Sequence, residues 1–140
     1  MLGNHDFDYA FDNLLSLAER AEYAMLSANT YWKDGTYPEQ FAPYIVKEVG
    51  GLNVAIVGLT DDGSKATTHY SNTQDIDFHD HWEVGQQVVD QANEEADLVI
   101  MLAHLHGANN DGTHPYRRHR HGGRRRKRHL WPPLNIEALW

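Results

Sequence analysis

Six residues near the start, Gly3-Asn4-His5-Asp6-Phe7-Asp8, place a neutral oxygen donor, an imidazole and two carboxylates in one glycine-led loop. An asparagine amide oxygen can ligate a divalent cation, and an adjacent imidazole can meet a phosphoryl oxygen or carry a proton. From spacing alone, an Asn-His pair is equally well explained as a turn. A second candidate is His104, which follows the apolar run Leu98 to Leu102 almost directly. It therefore stands just past a strand's carboxyl end, where α/β folds gather ligands. A third is the acid and imidazole group Asp75, Asp77, His79, Asp80 and His81, in which Asp77-Phe78-His79 has the Asp-x-His form of a metal motif. There is no cysteine, so any metal must be held by His, Asn, Asp or Glu.

The elements that must carry these residues are visible as periodicities. Phe11, Leu14, Leu15, Ala18, Ala21 and Ala24 recur at helical spacing and predict a helix from about Phe11 to Glu22. Met25 to Ala28 reads as a short buried strand, and Asn29 to Gln40, with Gly35 and Pro38, as a loop. Tyr44 to Val49 and Leu52 to Leu59 flank Gly50-Gly51, the pattern of a tight hairpin. Val54 to Leu59 is apolar throughout, which suits a strand covered on both faces. A polar loop follows from Thr60 to Asp75. Asp80, three residues before Glu83, is placed to cap a helix running to about Glu95, with Trp82, Val89, Ala92 and Ala96 as its apolar stripe. Leu98 to Leu102 is a further strand, and strand, helix, strand implies an α/β layered fold.

Composition sets the outer limits. A chain of 140 residues with 41% apolar content suits one ordinary core. The longest apolar run, Leu98 to Ala103, falls far short of the roughly 18 residues of a membrane span, and no charged-then-apolar leader opens the sequence. Charge is unevenly spread: residues 1–110 carry 4 basic and 18 acidic side chains, whereas 111–140 carry 8 basic and 2 acidic. Such a split marks either a functional basic tail or a segment of different origin.

The opening string closely resembles the Gly-Asn-His-Asp/Glu-Phe-Asp signature of the 5'-nucleotidase branch of the calcineurin-like metallophosphoesterases. Leu26 to Asn29, Tyr44 to Val49, Val54 to Thr60 and Ala96 to Ile100 with His104 look like family segments in family order, so the resemblance covers roughly Met1 to Asn110. It implies a partial metallophosphoesterase sandwich, two mixed β-sheets flanked by helices, and hydrolysis of phosphate esters, above all nucleoside 5'-monophosphates. It further implies that Asn4 and His104 ligate one metal of a two-metal centre of Zn, Mn, Mg or Co type. His5 would be catalytic, with Asp8 holding its other ring nitrogen; Asp6 takes no catalytic role. His106 stands where the family usually has glycine, which leaves the choice between His104 and His106 open. The family's Asp-x-His lies upstream of the Gly-Asn-His string, so Asp77-Phe78-His79 and its neighbours are expected to be a solvated helix entry.

The resemblance also implies that the chain is an internal fragment. The family's upstream Asp-x-His, its Gly-Asp bridging aspartate, its late Gly-His-x-His and its separate substrate domain are not in the sequence. A partial catalytic domain over 1–112 is expected, with little activity of its own, followed by an Arg/His-rich tail over 113–140. Three readings of that tail stand side by side: non-native sequence without ordered structure, a polybasic arm that neutralises nucleic-acid phosphates, or a metal site at His119 and His121. A non-catalytic protein binding nucleic acid or polyphosphate through this tail is the alternative function. The family is often exported, so an extracytoplasmic origin is a weak expectation, and oligomeric state is left open.

Overall fold

The computed structural model describes residues 1–105. The expected features at His106, His119, His121 and the Arg/His-rich tail, and the boundary at 112/113, lie outside the described residues.

Gly50 and Gly51, at φ 61° and 84°, make the turn that folds β2 (Tyr44–Val49) back on β3 (Leu52–Thr60), with Val49 opposite Leu52. Only glycine adopts two such left-handed conformations in succession at no steric cost. β3 pairs on its other side with β5 (Leu98–His104), in parallel, giving a mixed sheet of order β2-β3-β5. The crossover is α4 (His81–Asn93), whose first turn is capped by the Asp80 carboxylate accepting from the N–H groups of Trp82 and Glu83. Ala55, Val57 and Leu59 of β3 and Val84, Val88, Val89 and Ala92 of α4 share one core cluster.

β3 is covered as its apolar run predicts, with Val54, Ala55, Val57 and Leu59 all buried. The helix stripe is different from the one expected: Trp82 is 55% exposed, and Val84, Gly85 and Val88 face the sheet instead. Trp82 is the second residue of the helix, and the capped first turn directs it away from the sheet-facing stripe. β5 carries exposed Leu98, Ile100, Met101 and Leu102, since among the described residues it pairs only with β3.

A second, two-stranded antiparallel sheet joins β1 (Thr30–Trp32) to β4 (Ile76–Phe78). Two single-turn helices, α2 (Ser64–Thr67) and α3 (Tyr70–Thr73), precede β4. β1, α2 and α3 fall within stretches the sequence presents as loops. α1 (Phe11–Arg20) ends two residues earlier than its periodicity suggests, because Ala21 is already extended at ψ 133°. Phe11 and Leu14 of α1 pack with Leu2, Phe7, Phe41 and Ile76 in a second core cluster.

Leu26 to Ala28 is buried and Met25 half-buried, but the stretch is not a strand. Its hydrogen bonds are divided among three neighbours: Leu26 O accepts from Leu2, Ser27 N donates to Ala42, and Ala28 N donates to Gly58. No single partner runs alongside it long enough for a ladder, and only the Leu26–Ala42 bridge forms.

Candidate active site

A buried polar seam fixes the site. Asn29 accepts from Thr60 N–H through Oδ1 and donates through Nδ2 to the carbonyls of Thr60 and His79. The Thr60 hydroxyl donates to Leu2 O at 3.0 Å, so its single proton is used there and Ser27 Oγ must donate to it, at 2.8 Å. Ser27, Asn29, Thr30 and Thr60 are all fully buried, and their mutual satisfaction removes the cost of enclosing them. Thr60 is also the register partner of His104 in the parallel β3–β5 pair. One residue thus joins the end of β5 to the backbone immediately before Gly3-Asn4.

The Gly-Asn-His string itself forms a 3-10 turn, Asn4–Phe7, whose N-terminus is closed by Gly3 N–H donating to Asp6 Oδ2 at 2.7 Å. This gives Asp6 a structural part in the turn. Phe7 is fully buried and meets Phe78 edge to face at 5.0 Å, anchoring the turn in the core. From this anchored turn His5 and Asp8 project into solvent, 80% and 40% exposed, with His5 Nδ1 2.8 Å from Asp8 Oδ2. His104 Nε2 lies 2.9 Å from Asn4 Oδ1. The four residues singled out in the sequence therefore form two side-chain pairs, one within the turn and one between the turn and β5.

The donor set at Asn4 and His104 fits a divalent cation: one neutral amide oxygen and one imidazole nitrogen. At 2.9 Å the two atoms are in hydrogen-bond contact, with His104 Nε2–H donating to the Asn4 amide oxygen, and a cation would take the place of that proton. The structure does not gather Asp75, Asp77, His79, Asp80 and His81 into one group. Asp80 caps α4, Asp77 forms an ion pair with Lys65, and His79 stacks on Tyr31 at 4.2 Å.

His81 departs from the expected solvated helix entry, being only 4% exposed. Its Nδ1 faces Asp62 Oδ2 at 3.2 Å, and Asp61, Asp62 and His81 together present ligand atoms within 4.8 Å of one another. Sequence reasoning passed over this trio because Asp61-Asp62 read as loop polarity. The available signal was their position directly after the buried end of β3. Asp61 is 2% exposed, and its Oδ1 accepts from Gly63 N–H at 3.1 Å.

A mixed sheet with its crossover helix carries a Gly-Asn-His turn that meets a strand-end histidine, the arrangement that the resemblance to metallophosphoesterases implies. No family model matches the chain. The 5'-nucleotidase of Vibrio cholerae is 34% identical over 115 residues, 81% of this chain and 20% of that protein. The crystal structure of a 5'-nucleotidase precursor from Thermus thermophilus superposes with a TM-score of 0.62 at 30% identity, covering 74% of this chain and 20% of that one. The calcineurin-like phosphoesterase YfkN of Bacillus subtilis shares the fold, with a TM-score of 0.63 at 24% identity over 74% of this chain and 33% of that one. The chain belongs to the 5'-nucleotidase family. It spans about a fifth of the length of the curated relatives it matches.

Proposed function

We propose that the chain supplies part of the active site of a metal-dependent phosphate-ester hydrolase acting on nucleoside 5'-monophosphates. The convergence of Asn4 and His104 beside the His5–Asp8 pair carries this reading, and the names of the 5'-nucleotidase relatives support the substrate class. Asn4 Oδ1 and His104 Nε2 would hold one divalent ion. When bound, such ions supply Lewis acidity toward the phosphoryl oxygens and a water acidic enough to attack as hydroxide.

The protein's own contribution is proton control. The Asp8 carboxylate accepts from Nδ1–H of His5, which fixes the tautomer and the orientation of the ring. His5 Nε2 is then free to hold a proton for the departing ribose 5'-oxygen. Water adds to phosphorus, the P–O5' bond breaks, and the proton on His5 neutralises the leaving alkoxide, giving nucleoside and phosphate. Residues 1–112 are proposed as the part of the chain that carries this site. Among the described residues, no helix is long and apolar enough to cross a membrane.

A chimera tests the reading: residues 1–105 replace the matching segment of the Vibrio cholerae 5'-nucleotidase, and release of phosphate from adenosine 5'-monophosphate is followed with manganese. Activity is expected, with a loss of about 100-fold or more in the His5→Ala chimera. An active chimera indifferent to His5→Ala would sink the assignment.

A further inference from the structure

Resting on the assignment of His5 and Asp8 above, we propose that Asn72 is a positioning residue for that pair, and that α2 and α3 act as a clamp on the far side of the Gly-Asn-His turn. An exposed His–Asp contact has little intrinsic strength, so its geometry depends on how firmly the backbone presents the two side chains. The turn is anchored at Gly3 by the Asp6 carboxylate and at Phe7 by the core, but its far end at Asp8 is less firmly held. Its two internal backbone bonds, Asp6 N to Gly3 O and Asp8 N to His5 O, are both 3.2 Å long. Beyond Asp8 the chain passes through Tyr9, 81% exposed, and Ala10 at φ 73° before α1 begins.

The missing restraint comes from residues 61 to 64 positions downstream. Asn72 Nδ2 donates to Asp8 O at 2.7 Å, and Thr68 Oγ1 reaches Phe7 O at 3.5 Å. The Asn72 amide is itself oriented, because Oδ1 accepts from Ser71 Oγ at 3.3 Å, which turns the NH₂ toward Asp8. His69 caps α3, its Nδ1 accepting from Ser71 N–H at 3.4 Å. The clamp is rooted in the core through fully buried Thr73 and through Lys65, which donates to Ile76 O at 2.9 Å and pairs with Asp77. A line of hydrogen bonds therefore runs from Ser71 Oγ through Asn72 to the backbone of Asp8, whose carboxylate accepts from His5.

The test follows the His5 tautomer by ¹⁵N NMR of the full histidine-labelled chain, at a pH where the imidazole is neutral, with His5 assigned by its loss in His5→Gln. In the unsubstituted chain the proton is expected on Nδ1. Asn72→Ala and the isosteric Asn72→Asp both remove the donor, and each is expected to shift the Nδ1–H to Nε2–H ratio by roughly twofold to tenfold, the worth of one hydrogen bond. Val88→Ala, in the α4 core, should destabilise the chain and leave that ratio alone. An unchanged ratio in both Asn72 variants, when Asp8→Asn does shift it, overturns the clamp and leaves the His5–Asp8 assignment standing. A ratio indifferent to Asp8→Asn overturns that assignment first. A shift in Val88→Ala equal to that in the Asn72 variants makes the effect one of global stability and also overturns the clamp.

Discussion

The ring of His104 rests on Gly3 while its Nε2 meets Asn4 Oδ1 at 2.9 Å. Gly3 has an ordinary φ of −111°, so its requirement is for space and not for conformation. A Cβ there would stand 3.0 Å from His104 Cγ and Nδ1, forcing the ring to give way. Gly3→Ala is expected to weaken Mn²⁺ binding at this pair roughly tenfold, as loss of ligand-orienting contacts does elsewhere. Paramagnetic broadening of the His104 ring signals during a Mn²⁺ titration measures it; an unchanged affinity would show that ring seating is unimportant.

Phe7 lies inside the signature yet faces the core, packed against Phe11 and Phe78 with no exposed surface. Phe7→Ala is expected to cost about 3–5 kcal/mol through the cavity it leaves, and Phe7→Leu considerably less. Urea unfolding followed by circular dichroism gives both values, and a cost near zero for Phe7→Ala would contradict its burial.

Ala10, at φ 73° and ψ 149°, holds a backbone conformation that a Cβ disfavours, at the entrance to α1. Ala10→Gly relieves strain of about 1–3 kcal/mol, partly offset by glycine's greater freedom when unfolded. A net gain of about 1 kcal/mol is expected. Loss of stability on this substitution would place the residue in an ordinary conformation.

Tyr37 donates its hydroxyl to Ser27 O at 2.5 Å, and burial, with a smaller effect from Tyr31, pushes its pKa well above 10.0. The unfolded chain therefore releases this proton first. The stabilisation is complete below about pH 10 and is lost as pH rises toward the folded pKa. Tyr37→Phe should flatten the fall in urea midpoint between about pH 9 and 11, while lowering the midpoint at neutral pH through the missing hydrogen bond. Equal slopes for the two proteins would rule out Tyr37 as a source of alkaline sensitivity.

Much of the architecture was legible because its signals are local. Gly50-Gly51 dictates its own turn, the unbroken apolar run of β3 demands cover on both faces, and Asp80 stands at the right distance to cap α4. Where the sequence misled, the deciding contacts came from afar. Met25 to Ala28 has the composition of a strand, but its hydrogen bonds go to three different neighbours. β1 and β4 are three residues each, too short to show a period, and exist because each pairs with the other.

By itself the sequence determined the local half of the site. The resemblance of the opening string implies that Asp8 holds His5, and the two, three residues apart in a single turn, have their side chains 2.8 Å apart. Tertiary structure decided the other half. Asn4 and His104 meet because β3 and β5 run parallel with Thr60 opposite His104, and because the Thr60 hydroxyl holds Leu2 at the mouth of the turn. It also decided that His81 goes inward to Asp62 while Trp82 stays in water, since which side of α4 is buried depends on how the helix lies across the sheet. Spacing along a chain can specify a turn, but a contact across a hundred residues is specified only by the register of the strands that carry it.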